Sequence, residues 1–365
     1  MSVRIGGMGW VTPLGSGISE VWGRLVNGET PVAETIASPL GARTFPAFRV
    51  PASALADAPP HPRLRRSSAI SRFAVIAGLA ALKDAGVTSP ADAAERTAVI
   101  FAISNGGVIY TKRFYHDVVE SGAQAASPLL FPETVFNAPA SHLAAILGIT
   151  GASYTLVGDG AVGVLALKMA EDLMENPMLD RCLVVGAEES DWLLCDAYHR
   201  WRLLRDAPPI EPFAQTKRGT ILSEGAGAVL LDRTGATRVE QIDAGYNFEH
   251  QRDAARCVNS VFANLGASDH DVIIASANGT FIDQAESDAI SHHCAGARVY
   301  APKAALGESV GASTLWQLIC AAQSLRSGEL PSIPTAAKKS PSATRAIVSA
   351  CGMNQQVAGL LIALA

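Results

Sequence analysis

Residues 154–167 read YTLVGDGAVGVLAL, an apolar run, a turn of small residues and a second apolar run rich in alanine and leucine. The pattern predicts a strand that turns sharply into a helix. Such a junction presents one side chain at a helix N-terminus, where unpaired N–H groups and the helix dipole favour negative charge. Gly158, Asp159 and Gly160 form the turn. Two readings stay open here: the junction presents a functional group, or the glycines merely permit the turn while Asp159 caps the helix behind it.

Outward from this junction, β-branched apolar runs alternate with alanine-rich stretches along the whole chain, the signature of an α/β protein with buried strands. Strands are expected over residues 3–6, 97–103, 153–157, 181–185, 227–231, 272–275, 298–300, 346–349 and 359–363. Helices are expected over 18–27, 70–85, 139–147, 162–174, 253–265, 283–292 and 311–327. The later set repeats the earlier one in outline, which predicts two related halves, 1–234 and 235–365, sharing one core. The polar, turn-forming stretch DRTGAT at 232–237 is the expected seam.

At 365 residues the chain is long enough for about two domains or one large fused unit. Hydrophobic residues make up 48% and charged residues 17%, below the usual ~25%, so disorder is excluded and much surface must be buried in a core or an interface. The longest apolar runs, 74–82 and 357–365, are nine residues each, about half of the ~18 that span a bilayer, so no membrane segment is expected. The opening MSVRIGGMGWVTPLG lacks the pattern of a secretory signal, and a cytoplasmic protein is the expectation. A net charge of −5 without any densely basic stretch argues against nucleic acid. The six cysteines, at 182, 195, 257, 294, 320 and 351, form no CxxC pair, so neither disulfides nor a zinc site is expected. His292 and His293 are adjacent and read as surface residues, and neither a metal nor a cofactor is predicted.

The order of several longer motifs resembles the β-ketoacyl-acyl-carrier-protein synthases, the ketosynthases of fatty acid and polyketide assembly. They include IGGMGWVTPLGSGISEVWGRLVNG from Ile5, RFAVIAGLAALKDAG from Arg72, SPLLFPETVFNAPASHLAAILGITGASYT from Ser127, VVGAEES from Val184, PFAQTKRGTILSEGAGAVLL from Pro212, ASANGTFIDQAESDAI from Ala275 and PKAALGESVGAS from Pro302. The resemblance implies the thiolase-like fold, two related βαβ halves in a five-layer αβαβα arrangement, dimerised through strands near the elbow.

The resemblance also implies where chemistry would sit, and there the sequence departs from the family. Active members carry a cysteine at the elbow whose thiolate accepts the acyl chain; here that place falls on Gly160. The family's HGTxTxxxD has Asn278 for its histidine, and KxxxGHxxGAxG has Glu308 for its second, while Lys303 matches the supporting lysine. Asparagine takes up no proton near neutral pH, and a carboxylate would repel the enolate that an imidazole N–H stabilises. Lys303 and Glu308 are expected to pair. The family's NSFGFGGxN loop reads SACGMNQQ here, which puts Met353 near its gating phenylalanine and Asn354 and Gln355 in place of two glycines.

With no catalytic residue intact, the expected function is that of a chain-length-factor-type subunit, the non-catalytic partner of an active ketosynthase in polyketide or fatty acid biosynthesis. Aryl polyene systems use similar heterodimers. Asp159, Gly160, Asn278, Lys303, Glu308 and Met353 would line the former active-site pocket, and Phe131 and Phe136 the tunnel or interface. The expected partners are an active ketosynthase, or a second copy of the chain, and an acidic acyl carrier protein. The competing expectation is an enzyme of the same fold whose polar site, Asp159, Asn278, Lys303 and Glu308, has been rebuilt to act on an acyl-thioester.

Overall fold

Alternation of side chains across each strand gives the two halves one shared core and each half an outer core of its own. In the computed structural model, which describes residues 3–87, 94–331 and 343–365, ten strands lie along the path of an eleven-stranded mixed sheet. They are β1 (Arg4–Thr12), β2 (Thr97–Ile103), β3 (Ser153–Val157), β4 (Arg181–Glu188), β5 (Gly225–Asp232), β6 (Thr237–Asn247), β7 (Val272–Ile274), β8 (Arg298–Tyr300), β9 (Arg345–Cys351) and β10 (Gln356–Leu364). The eleventh, Gly15–Ser16, pairs with β1 alone. The helices are α1 (Ile18–Val26), α2 (Ala69–Asp84), α3 (Val108–Ser121), α4 (Ala138–Leu147), α5 (Val162–Leu173), α6 (Trp192–Arg200), α7 (Ala254–Asn264), α8 (Ile282–His293), α9 (Lys303–Leu306) and α10 (Ser313–Ser327).

The sheet order is β8-β7-β9-β10-β6-β1-β5-β4-β2-β3. Counted from its own first strand, each set of five has the order 3-2-4-5-1, and each repeats the same directions: second strand parallel to third and fourth, fifth antiparallel to fourth and first. The sets meet where β1 pairs antiparallel with β6 through Arg4 and Ile5. Between β5 and β6 the chain turns at Asp232, whose Oδ1 accepts from the N–H groups of Thr234 and Gly235.

One face of both sets packs on α5 and α10, so that Ile100, Val184 and Val229 share a core with Val272, Val348 and Leu360. The opposite face of the first set, with Val99, Phe101 and Leu183, is covered by α2 and α4 through Phe73 and Leu143. The opposite face of the second set, with Ile273, Ile347 and Leu361, is covered by α7 and α8 through Val258 and Ile282. The result is the five-layer thiolase-like architecture expected from the resemblance. Among the described residues no helix is long and apolar enough to cross a membrane.

Three helices and several strands exceed the expectation. α3, α6 and α9 are absent from it, as are β6 and a three-stranded sheet of Glu34–Ala37, Thr44–Phe48 and Leu222–Ser223. α3 has an amphipathic sequence, VIYTKRFYHDVVES, yet none of its residues is buried. His292 and His293 end α8, and their rings meet edge-on at 4.6 Å rather than facing apart.

The central helices are the keystone of the stack. Trp316 on α10 is 2% exposed and donates its indole N–H to the Ala226 carbonyl at 2.9 Å. Replacing it with alanine is expected to lower unfolding stability by about 3–5 kcal/mol in urea titrations.

Candidate functional site

The predicted junction between β3 and α5 is present, with Gly158–Ala161 as its turn. The capping reading of Asp159 is overturned. Its side chain makes no cap bond to α5; only its backbone carbonyl accepts, from the Val162 N–H at 2.8 Å. The Asp159 carboxylate instead reaches the β9–β10 turn, where Oδ2 accepts from the N–H groups of Asn354 at 2.9 Å and Gln355 at 3.0 Å. Gly352 allows this approach, since a Cβ there would overlap Asp159 Oδ2. Gly160 faces the same turn: a Cβ on it would lie 3.1 Å from Gly352 Cα. Its carbonyl accepts from Thr314 Oγ1 at 2.6 Å.

Asn278, Lys303 and Glu308 come together from three segments. Lys303 Nζ lies 2.8 Å from Glu308 Oε2, with both side chains only 2% exposed, so the expected pairing is present. Asn278 Nδ2 donates to the same Oε2 at 2.7 Å, and Asn278 Oδ1 accepts from Thr280 Oγ1 at 2.6 Å. Lys303 also donates to Ser276 Oγ at 2.9 Å, and Ser276 Oγ donates to the Cys351 carbonyl at 3.1 Å. This last bond connects the ion pair to the turn that Asp159 holds. The loop carrying Asn278 is fixed by Asp283, which accepts from the N–H groups of Asn278, Gly279 and Phe213.

Beside the network lies a small cleft bordered by Asn105, Glu188, Tyr198, Ser223 and Glu308. Burial pushes the Glu188 carboxyl up to about 7, although its Oε2 accepts from the N–H groups of Ser104 and Asn105. Burial, followed by the charges of Asp159, Glu188 and Glu308, also holds the Tyr198 hydroxyl above its ordinary range. Glu286, whose Oε1 accepts from the Ser276 N–H, is pushed up to about 7, again chiefly by burial.

No thiol is poised for attack. All six cysteines are buried, and burial raises Cys351, nearest the junction, well above its ordinary value. The thiol of Cys195 is pushed up to about 12. A thiolate nucleophile requires the opposite shift. No cluster of histidine, cysteine and carboxylate side chains suited to a metal occurs among the described residues.

Met353 lies within the β9–β10 turn, is 6% exposed and packs into the outer core of the second set of strands. Phe131 and Phe136 are 57% and 46% exposed, and Phe131 stacks on Phe114 of α3 with ring centroids 5.8 Å apart. Glu188, Tyr198 and Asn105 were not singled out by sequence; Glu188 stands in the VVGAEES motif but nothing local shows that it faces residue 308.

Fold and site together define a condensing-enzyme scaffold. The chain belongs to the β-ketoacyl synthase family: its N-terminal domain model matches residues 1–236 and its C-terminal domain model residues 232–336. Nodulation protein E of Rhizobium leguminosarum bv. trifolii is 24% identical over 367 residues, covering 93% of this chain and 89% of that protein. The mitochondrial 3-oxoacyl-[acyl-carrier-protein] synthase of Arabidopsis thaliana is 25% identical over 63% of this chain and 56% of its own length. Among solved structures, the ishigamide ketosynthase/chain length factor superposes with a TM-score of 0.85 at 21% identity, covering 100% of this chain and 99% of the other. A ketosynthase in complex with its chain length factor from Xenorhabdus doucetiae gives a TM-score of 0.81 at 19% identity, covering 100% and 98%.

Two outcomes follow from these contacts. Lys303→Met strands a buried carboxylate and is expected to cost about 3–5 kcal/mol in denaturant titration, whereas Lys303→Met combined with Glu308→Leu should recover most of that loss. Glu188 binds its proton more tightly when folded than the ordinary value of 4.5 allows. Its stabilising contribution is therefore complete below that value and is lost as pH rises through about 7. Glu188→Gln should flatten the decline of stability across this window and stabilise the protein at pH about 8 relative to wild type, measured by urea unfolding at several pH values.

Proposed function

We propose that the chain is a non-catalytic partner subunit of an active β-ketoacyl synthase, of the chain-length-factor type, acting on acyl chains carried by an acyl carrier protein. One observation supports the reading: positions 160, 278 and 308, which the resemblance assigns to the family's cysteine and two histidines, hold glycine, asparagine and glutamate, and the latter two bond to one another in a buried network with Lys303. No side chain at position 160 can hold an acyl group. With Asn278 and Glu308 bonded to one another, no imidazole is present to stabilise an enolate.

The surface supports a role in assembly. α3 buries none of its residues in the isolated chain, and Tyr115 and Val119 on it are 64% and 76% exposed. Leu129, Phe131, Val135 and Phe136 are exposed on the segment that packs on α3, and Tyr154 and Val157 on the edge strand β3. Apolar surface of this extent at the junction side of the fold fits a subunit interface better than bulk water. The likeness to complexes of a ketosynthase with a chain length factor points the same way.

A second reading rests on Glu188. A carboxyl that titrates near 7 beside Tyr198 and Glu308 is placed for proton transfer, as a rebuilt enzyme acting on an acyl-thioester would require. The two readings differ in what the purified chain does alone.

Co-expression with a ketosynthase from the same source is expected to give a one-to-one complex by native mass measurement, with acyl-thioester turnover by the mixture and none by this chain. A stable homodimer that turns over an acyl-thioester unaided would overturn the partner reading, and loss of that turnover in Glu188→Gln would establish the second. Phe136→Glu is expected to weaken the complex roughly tenfold or more, equivalent to about 1.4 kcal/mol, in titration against the partner.

A further inference from the structure

The β9–β10 turn carries two successive backbone N–H groups, those of Asn354 and Gln355, that converge on one oxygen, Asp159 Oδ2. Successive N–H groups aimed at one point form an anion-binding concavity. Here the turn keeps its shape by bonds that do not involve Asp159. The Gly352 N–H donates to the Gln356 carbonyl at 2.7 Å, and the Phe248 N–H donates to the Gln355 carbonyl at 2.7 Å. Met353, between them, is anchored in the outer core. The two donors are thus held in place from the protein side, while Asn354 and Gln355 themselves are exposed.

The acid comes from 195 residues away in sequence, at the opposite wall of the site. Asp159 is 8% exposed, and its fit depends on the missing Cβ of Gly352. A buried carboxylate that accepts two N–H bonds exchanges hydration for charge-assisted hydrogen bonds, each stronger than a neutral one. Among the described residues no lysine, arginine or histidine forms an ion pair with Asp159, and its carboxylate bonds to the turn.

We propose that the Asn354 and Gln355 N–H groups form a carboxylate-binding fork that Asp159 fills in cis, latching the turn onto the strand–helix junction. A small free carboxylate takes the same place once position 159 carries no acid. The latch fixes the wall opposite Gly160 without any contribution from a partner chain, so it stands whether or not the partner reading does.

The test uses the full chain with Asp159→Ala, acetate or formate as the probe, and sodium chloride at equal ionic strength and pH as the control. Amide hydrogen exchange at residues 354 and 355 and the melting temperature are read together. Wild type should respond equally to the salts. In chloride, Asp159→Ala should exchange these two amides at least about tenfold faster than wild type, and acetate should restore protection and raise the melting temperature. Unchanged exchange in the variant, or equal protection by acetate and chloride, would overturn the proposal. Should Asp159→Ala fail to fold, Asp159→Asn decides: its neutral oxygen should leave the two amides less protected than in wild type, and wild-type protection would refute the need for a carboxylate.

Discussion

Two opposite charges that almost no water reaches, Lys303 and Glu308, set the shape of the site around them. Neither is tolerable alone in that environment, because desolvation of a single ion costs several kcal/mol. Each therefore constrains the segment that carries it. Lys303 begins the short α9, and Glu308 lies just beyond its end, with its backbone bonded on both sides to the 221–223 stretch. Asn278 and Ser276 complete the coordination of the pair from the loop after β7. The Ser276 bond to the Cys351 carbonyl then carries the constraint to the turn facing the β3–α5 junction. Four separate parts of the chain are thereby registered against one ion pair.

The polar groups at this centre largely satisfy one another. The Glu308 carboxylate is neutralised by Lys303. Asn278 supplies a donor to that carboxylate and an acceptor to Thr280. Most of the network is thereby paired despite its burial. Glu308 Oε1, Glu188 Oε1, Ser190 Oγ and Ser223 Oγ are among the buried atoms without a hydrogen-bond partner, and all four residues border the same cleft.

Strands were legible where an apolar run stands out from its flanks, and β2, whose seven residues are all buried, matches its expected bounds. β3 and β8 match as well, from apolar runs bounded by turn residues. β6 escaped because Glu240, Gln241 and Asp243 break its apolar pattern; it is half-exposed and held mainly by its ladder with β10. α3 escaped because none of its residues is fully buried and its apolar positions, though amphipathic, form no continuous run. In the site, Gly160, Asn278, Lys303 and Glu308 were visible because their flanking motifs are kept. Glu188 and Tyr198 were not, since the fold alone places them against a residue more than a hundred positions onward. Of the readings open for Asp159 only capping fails, and its actual partners are backbone N–H groups, which leave no mark in a sequence.

The two rims of the large sheet are unequal. At one, β8 is three residues long, a length that offers little to an incoming strand. At the other, β3 runs for five residues, none fully buried, with a tyrosine and a valine turned outward. Strand addition can therefore extend this sheet in one direction only. A second chain that joined at β3 by its own matching rim would leave only the two short β8 rims at the ends. Such an asymmetry disfavours polymerisation into fibres.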